Sequence, residues 1–305
     1  MNAAKMKYGY HLMAILTIAI WGTTFISTKV LIWNGLSPTD IFFYRFVLAY
    51  VCMWAIAPRK LFSNNLKDEF LFLTAGLSGG TIYFVTENTA LGITLASNVS
   101  LIVCTSPLLT TFLSYLFKQK EPFTKHLLYG SLMALIGMGL VVFNGSFILK
   151  INPLGDLLSL IAALMWAFYC LTLKQLDSKY STLFITRKVF FYGILTILPS
   201  FLFRPLNWDN AVMLQPIVLF NLLFLGVIAS MLCFIMWNTC VKELGAVRST
   251  NYIYIVPLVT LVTSAIIIDE KVTPIALMGC VLILCGVYLA ERKTNPTFEA
   301  KPKKI

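Results

Sequence analysis

One stretch of the chain occurs twice. Asn88-Thr89, Ala96, Pro107-Leu108-x-Thr110, Ser114 and Glu121 return as Asn238-Thr239, Ala246, Pro257-Leu258-x-Thr260, Ser264 and Glu270. The order is the same and the spacing holds to one residue. The echo continues through Thr124, Gly130 and Gly137 against Thr273, Gly279 and Gly286. A repeat of half the chain length settles the architecture ahead of any local reading. The chain must be assembled from two similar units, 1–145 and 150–293, followed by a basic tail at 294–305.

What those units are made of follows from their polar content. Only 12% of residues are charged and 58% are hydrophobic, with a mean hydropathy of +0.82. Soluble domains carry about 25% charged residues, and half that cannot cover a water-facing surface. The expected fold class is an all-α integral membrane protein. A spanning helix needs roughly 20 apolar residues. Candidate runs lie at 9–33, 39–57, 70–91, 96–117, 124–143, 154–174, 182–203, 215–239, 246–268 and 274–291, ten in all. Ser37-Pro38, Asn152-Pro153, Gln215-Pro216 and Thr273-Pro274 read as helix starts, where proline's missing N–H is harmless. The first run has no A-x-A cleavage site and reads as a retained helix. The seven cysteines sit in or beside apolar runs without metal-type spacing. No metal, cofactor or disulfide framework is expected.

The net charge of +11 does not point to nucleic acid, because the basic residues fall in short loops between apolar runs. Placing the N-terminus in the cytoplasm leaves only Lys150, Arg204 and Lys271 in outer loops, with seventeen of the 24 Lys and Arg in inner segments. Both termini are then cytoplasmic. Five helices per unit is an odd number, so the second unit enters the membrane from the opposite side. The expected architecture is therefore ten transmembrane helices as two inverted five-helix repeats, which suits a binding site near the midplane. Trp21-x7-Lys29 against Trp166-x7-Lys174 extends the echo to the first helix of each unit.

Trp21-Gly22 lies in the first run, Arg45 early in the second, and Ala90-Leu91 with Thr94-x-Ala96 at the third-to-fourth turn. Pro107 falls in mid-run and Glu121 closes it. In this combination of order, spacing and topology, nearly the whole chain resembles the EamA-type branch of the drug/metabolite transporter superfamily. The second half matches at Ala246, Pro257 and Glu270, but has Trp166-Ala167 for Trp-Gly and Arg187 or Lys188 where Arg45 would repeat. The resemblance implies export of small metabolites, often amino acids, or of toxic organic compounds, across a bacterial inner membrane. It also implies a central cavity lined by helices 1, 3, 4, 6, 8 and 9. A receptor or scaffold that transports nothing is the alternative from another class.

Glu87 stands in the outer third of the bilayer on this topology. An ionisable group there is costly unless it faces a cavity or a partner, so Glu87 is the candidate for proton coupling; a helix-end carboxylate in outside water is the plainer reading. Its repeat position is Trp237. Arg45, Arg187 and Lys188 lie deeper than one turn, where snorkelling or helix pairing explains them, and Lys29 is read the same way. Pro107 and Pro257 are hinge or cavity-shaping candidates. Cavity candidates near them are Trp21, Thr24, Tyr83, Asn98, Ser100, Trp166, Tyr169, Trp237, Asn251, Tyr252 and Tyr254; helix-to-helix hydrogen bonds are the other use for the polar ones. Gly130, Gly137, Gly139, Gly279 and Gly286 permit close helix packing. Gly76-Leu77-Ser78-Gly79-Gly80 matches a serine-hydrolase elbow, but no histidine falls within reach of a mid-helix serine, so no enzyme is expected. The partners expected are a small-molecule substrate, the lipid bilayer and, as a candidate coupling ion, the proton, with no nucleic acid; a monomer is plausible.

Overall fold

A computed structural model describes residues 3–57, 62–94, 96–117, 124–143, 152–206, 208–267 and 273–291. Glu121, Glu270 and the basic tail lie outside the described residues, and so do the side chains of Asn98 and Ser264. Among the described residues the chain is helical without strands. The long helices are α1 (Ala3–Trp33), α2 (Pro38–Ile56), α3 (66–93), α4 (96–116), α5 (Lys125–Phe143) and α6 (Pro153–Leu176). They continue with α7 (182–202), α8 (216–244), α9 (246–267) and α10 (Pro274–Glu291). Six stretches are long and apolar enough to cross a membrane: Tyr8–Trp33, Pro38–Ile56, Val99–Leu116, Pro153–Leu176, Thr182–Leu202 and Pro216–Leu244.

Most starts anticipated from sequence carry a side-chain cap. Ser37 and Asp40 form a reciprocal capping box ahead of Pro38. Asn152 accepts from the amide of Gly155, and Thr273 Oγ1 from that of Ala276. Gln215 supplies no side-chain cap. Such caps matter here because a bare helix-end N–H has no water to turn to inside a bilayer. Two helices outrun the expected boundaries. Asn88 and Asn238, read as standing at turns, are buried within α3 and α8, which continue to Ile93 and Leu244. Gly245, at φ +96°, makes the turn into α9, a conformation that costs any other residue about 1–2 kcal/mol.

Four irregularities fall in matching places of the two halves. Leu77–Ile82 in α3 and Phe224–Leu232 in α8 are π-helical. α4 breaks at 104–105 and restarts at Ser106, whereas α9 tightens into a 3₁₀ turn at Tyr252–Ile255 before continuing at Val256. The last two precede Pro107 and Pro257. A proline ring excludes the carbonyl four residues back and offers it no N–H. Those carbonyls belong to Val103 and Ile253. Val103 receives the Ser106 hydroxyl at 2.5 Å and Ile253 the Cys104 thiol at 3.4 Å, so the two breaks bond to each other.

Packing repeats as well. α3 lies against α6 and α7, and α8 against α1 and α2. α5 and α10 cross on glycines: a Cβ at Gly130 would stand 2.5 Å from the Gly286 carbonyl, and one at Gly137 2.6 Å from that of Gly279. Gly139, grouped with these by sequence, faces open space, with nothing within 4 Å of a Cβ built there; it lies two residues, or about 200° of helix turn, from Gly137. The glycines of the elbow-like run are packing residues: a Cβ on Gly79 would meet the Tyr169 ring at 2.3 Å, and one on Gly76 the Cβ of Tyr192 at 2.5 Å. Ser78 donates its hydroxyl to the Thr74 carbonyl at 2.7 Å.

Candidate functional site

α1 presents Ile18, Trp21 and Phe25 at helical spacing, with Thr24 beside them, to a cavity between the two halves. α3 adds Tyr83, Phe84 and Glu87, α2 adds Arg45, α4 adds Val103 and Cys104, α6 adds Trp166, and α9 adds Ile253 and Val256. Tyr83 and Glu87 are one turn apart, so both follow directly from the π-helical segment that sets the phase of this part of α3. The α4 and α9 residues come from the two proline-linked breaks. The cavity offers about 40 Å³ to the centres of water-sized spheres, room for roughly three waters.

Two charges are enclosed in this apolar wall. Arg45 is 2% exposed; its Nε donates to Ser230 Oγ at 2.9 Å, and its guanidinium carbon lies 4.2 Å from the centroid of the Phe84 ring. Glu87 is 7% exposed and accepts from the Tyr83 hydroxyl at 2.7 Å. Each feels the other's charge, yet no hydrogen bond joins them. Burying charge in a membrane interior is expensive. The mutual field, the hydroxyl donors and acceptors and the Phe84 face offset that cost within the protein.

The remaining wall is indole. Trp21 meets Trp166 edge-on at 5.1 Å, and Trp237 packs behind both at 5.2 and 5.7 Å. Trp21 Nε1 donates to the Ala229 carbonyl at 2.8 Å. Ala229 lies in the π-helical part of α8, where widened turns release carbonyls from the helical ladder. The indole N–H groups of Trp166 and Trp237 have no acceptor among the described residues.

Of the residues nominated by sequence, Trp21, Thr24, Tyr83, Glu87 and Trp166 line the cavity, and Trp237 backs it. Tyr169 instead donates to Asn238 Oδ1 at 2.7 Å, and Asn238 in turn to Thr186 at 2.9 Å. Tyr252 bonds His11 between α9 and α1. Ser100, Asn251 and Tyr254 are buried away from the cavity wall. The side chain of Asn98 lies outside the described residues. Helix 8 contributes support and not lining, while helix 2 enters the wall through Arg45, which sequence reading left to snorkelling or pairing. Its depth in an apolar run was the available signal. The other deep cations do pair or bond: Lys188 Nζ lies 2.8 Å from Glu69 Oε2, and Arg187 donates to the Ala57 carbonyl.

A second polar cluster precedes the apolar run of α3. Asp68 receives Lys179 Nζ at 2.7 Å, the Tyr180 hydroxyl at 2.8 Å and Asn65 Nδ2 at 3.2 Å. These bonds, that from Lys179 first, hold its carboxyl below the ordinary aspartate range. The cluster fastens the start of α3 to the α6–α7 turn.

Comparison with known proteins agrees with this arrangement. The model of the EamA-like transporter family matches the chain twice, at residues 9–143 and 153–291. A transporter of Archaeoglobus fulgidus of uncharacterized substrate is 27% identical over 290 residues, covering 93% of this chain and 98% of its own. A probable amino-acid metabolite efflux pump of Escherichia coli is 24% identical, covering 91% and 93%. A probable terminal-alkyne amino-acid exporter of Streptantibioticus cattleyicolor is 24% identical, covering 92% of each chain. A solved crystal structure superposes with a TM-score of 0.73 over 93% of this chain and 96% of its own, at 18% identity, and shows the same fold.

Proposed function

The chain belongs to the EamA-like transporter family and is a multi-pass membrane transporter, and from that premise we propose that it exports small metabolites by alternating access. Amino acids and related compounds are the first substrate class to test, since two of its relatives carry that description; toxic organic compounds are the second. The membrane is the bacterial inner membrane, with both termini cytoplasmic, on the strength of the basic inner segments.

One observation carries the reading: an enclosed cavity with an arginine and a glutamate in its wall, walled by elements of both halves. Packing that served only to hold a bundle together gains nothing from two unbonded buried charges. The matched π turns, the matched proline breaks and the reciprocal α5–α10 glycine crossing support two inverted five-helix units. In that crossing, the Gly130–Gly286 contact becomes the Gly279–Gly137 contact when the halves are exchanged, as a two-fold axis between the helices requires. Such units rock about a central site.

The cavity is too small for a metabolite, since ligand pockets run to about 300–1,000 Å³. The conformation is thus a closed one, and loading needs the wall to open, with Pro107 and Pro257 as the points where α4 and α9 are already uncoupled from continuous helix. Glu87 is the coupling residue: a proton and a cationic group of the substrate compete for one carboxylate, which exchanges one for the other. The test is counterflow of radiolabelled amino acids in proteoliposomes. Uptake above that of empty vesicles is expected; its absence for every amino acid and for cationic organic compounds overturns the export reading. Glu87→Gln is expected to abolish the response of flux to an imposed pH gradient, and an unchanged response removes Glu87 from coupling.

A further inference from the structure

Arg45 is a buried cation with most of its hydrogen-bonding capacity unspent. A guanidinium has five N–H donors in a fixed fork. Here only Nε is bonded, to Ser230, and the side chain forms part of the cavity wall. The two terminal nitrogens have no acceptor among the described residues. They are the pair of donors that matches a carboxylate in a bidentate way. Glu87, in the same wall, uses one oxygen to accept from Tyr83. The two charges attract one another without a direct bond. The indole N–H of Trp166, also in the wall and 4% exposed, has no acceptor among the described residues either.

We propose that Arg45 is the receptor for a substrate carboxylate and Glu87 for its ammonium, so that the cavity selects zwitterions over molecules with either charge alone. The proposal rests on the transport reading above and specifies which atoms recognise the substrate. Ser230 and Phe84 hold the guanidinium in place, which keeps the fork presented without ordering costs at binding. A zwitterion completes the charge pair from both ends. A monovalent ligand leaves one buried charge with its shell of water removed and nothing in exchange, which is what rejects it.

The experiment uses purified full-length protein in nanodiscs at pH 7, reading tryptophan fluorescence, to which Trp21 and Trp166 of the cavity wall contribute. The twenty common amino acids are titrated first. The tightest binder is then compared with its α-amide, which lacks the carboxylate, and its N-acetyl derivative, which lacks the ammonium. Wild-type protein is expected to bind the parent about tenfold or more tighter than either derivative, the worth of one charge-assisted contact. Arg45→Gln is expected to erase the preference over the amide and keep that over the N-acetyl compound, with Glu87→Gln doing the reverse. Equal affinities of wild-type protein for the three ligands, or an Arg45→Gln variant that still discriminates against the amide, overturn the assignment while leaving transport standing. Failure of every amino acid to bind overturns it together with the amino-acid reading. Should Arg45→Gln not fold, Arg45→Lys keeps the charge without the fork. It is expected to weaken the parent and leave the amide unchanged; equal losses for both overturn the proposal.

Discussion

At the scale of single residues, environment separates groups that sequence treats alike. Lys188 and Arg45 are both cations inside apolar runs, yet Lys188 closes an ion pair with Glu69 and Arg45 stands in a cavity wall. The depth of Arg45 was legible in the sequence; the absence of a carboxylate bonded to it was not, since that depends on how α2, α3 and α8 are rotated against each other. Glu87 was legible for the same reason of depth, and Trp237 gains its place by packing on two indoles that come from different halves. Asp68 supports a prediction of pH dependence. Its carboxyl titrates below the ordinary value in the folded protein, so its stabilising effect is complete above the unfolded pKa of about 4 and is lost as pH falls through the folded one. Melting curves of wild-type protein and Asp68→Asn are expected to show the variant clearly less stable at pH 7, with the gap closing toward pH 3. Tyr83→Phe removes the hydroxyl that Glu87 accepts from; amino-acid counterflow at pH 7 is expected to fall several-fold while expression and melting temperature hold.

At the scale of elements, the two glycines of α5 make the sharper test. A methyl group at Gly137 meets the Gly279 carbonyl at 2.6 Å and the Ile283 amide nitrogen at 2.8 Å. Both are backbone atoms of a helix that cannot shift alone. Gly137→Ala is expected to destabilise by about 1–3 kcal/mol, the usual cost of overpacking, measured by thermal unfolding in detergent. Gly139→Ala, facing open space, is expected to be neutral or to stabilise by up to about 1 kcal/mol through helix propensity. The repeat in the sequence exposed the α5–α10 pairing because Gly130 and Gly137 recur as Gly279 and Gly286, whereas Gly139 has no counterpart, which is the sign that set it apart. The proline breaks were equally legible. The π turns were not: a shift of helical period shows only against an amphipathic stripe, and Leu77–Ile82 and Phe224–Leu232 lie in runs that are apolar or small on every side.

At the scale of the whole molecule, the two halves share a plan and differ in their charges. Glu87 on α3 answers to Trp237 on α8, and the Asp68 cluster ties only one end of the bundle. A structure with these properties opens to its two sides with unequal ease. Thr24→Cys in the cavity wall is expected to react with a membrane-impermeant maleimide from one face of oriented vesicles at least several-fold faster than from the other, and substrate is expected to slow both reactions. Labelling from neither face in any condition would show that the cavity never opens. Behind this lies the π-helical segment at 77–82. A widened turn is one residue of surplus chain. Deleting a single residue there, Gly80 for instance, would let the ladder close in ordinary α-helical register and rotate everything beyond it by roughly 100°. Glu87 would then leave the cavity and face its neighbours or the lipid, although the hydropathy and net charge of the chain would be unchanged. Whether this pathway contains an acid is thus decided by a counting error kept in the helix, ten residues upstream of the carboxylate at its start.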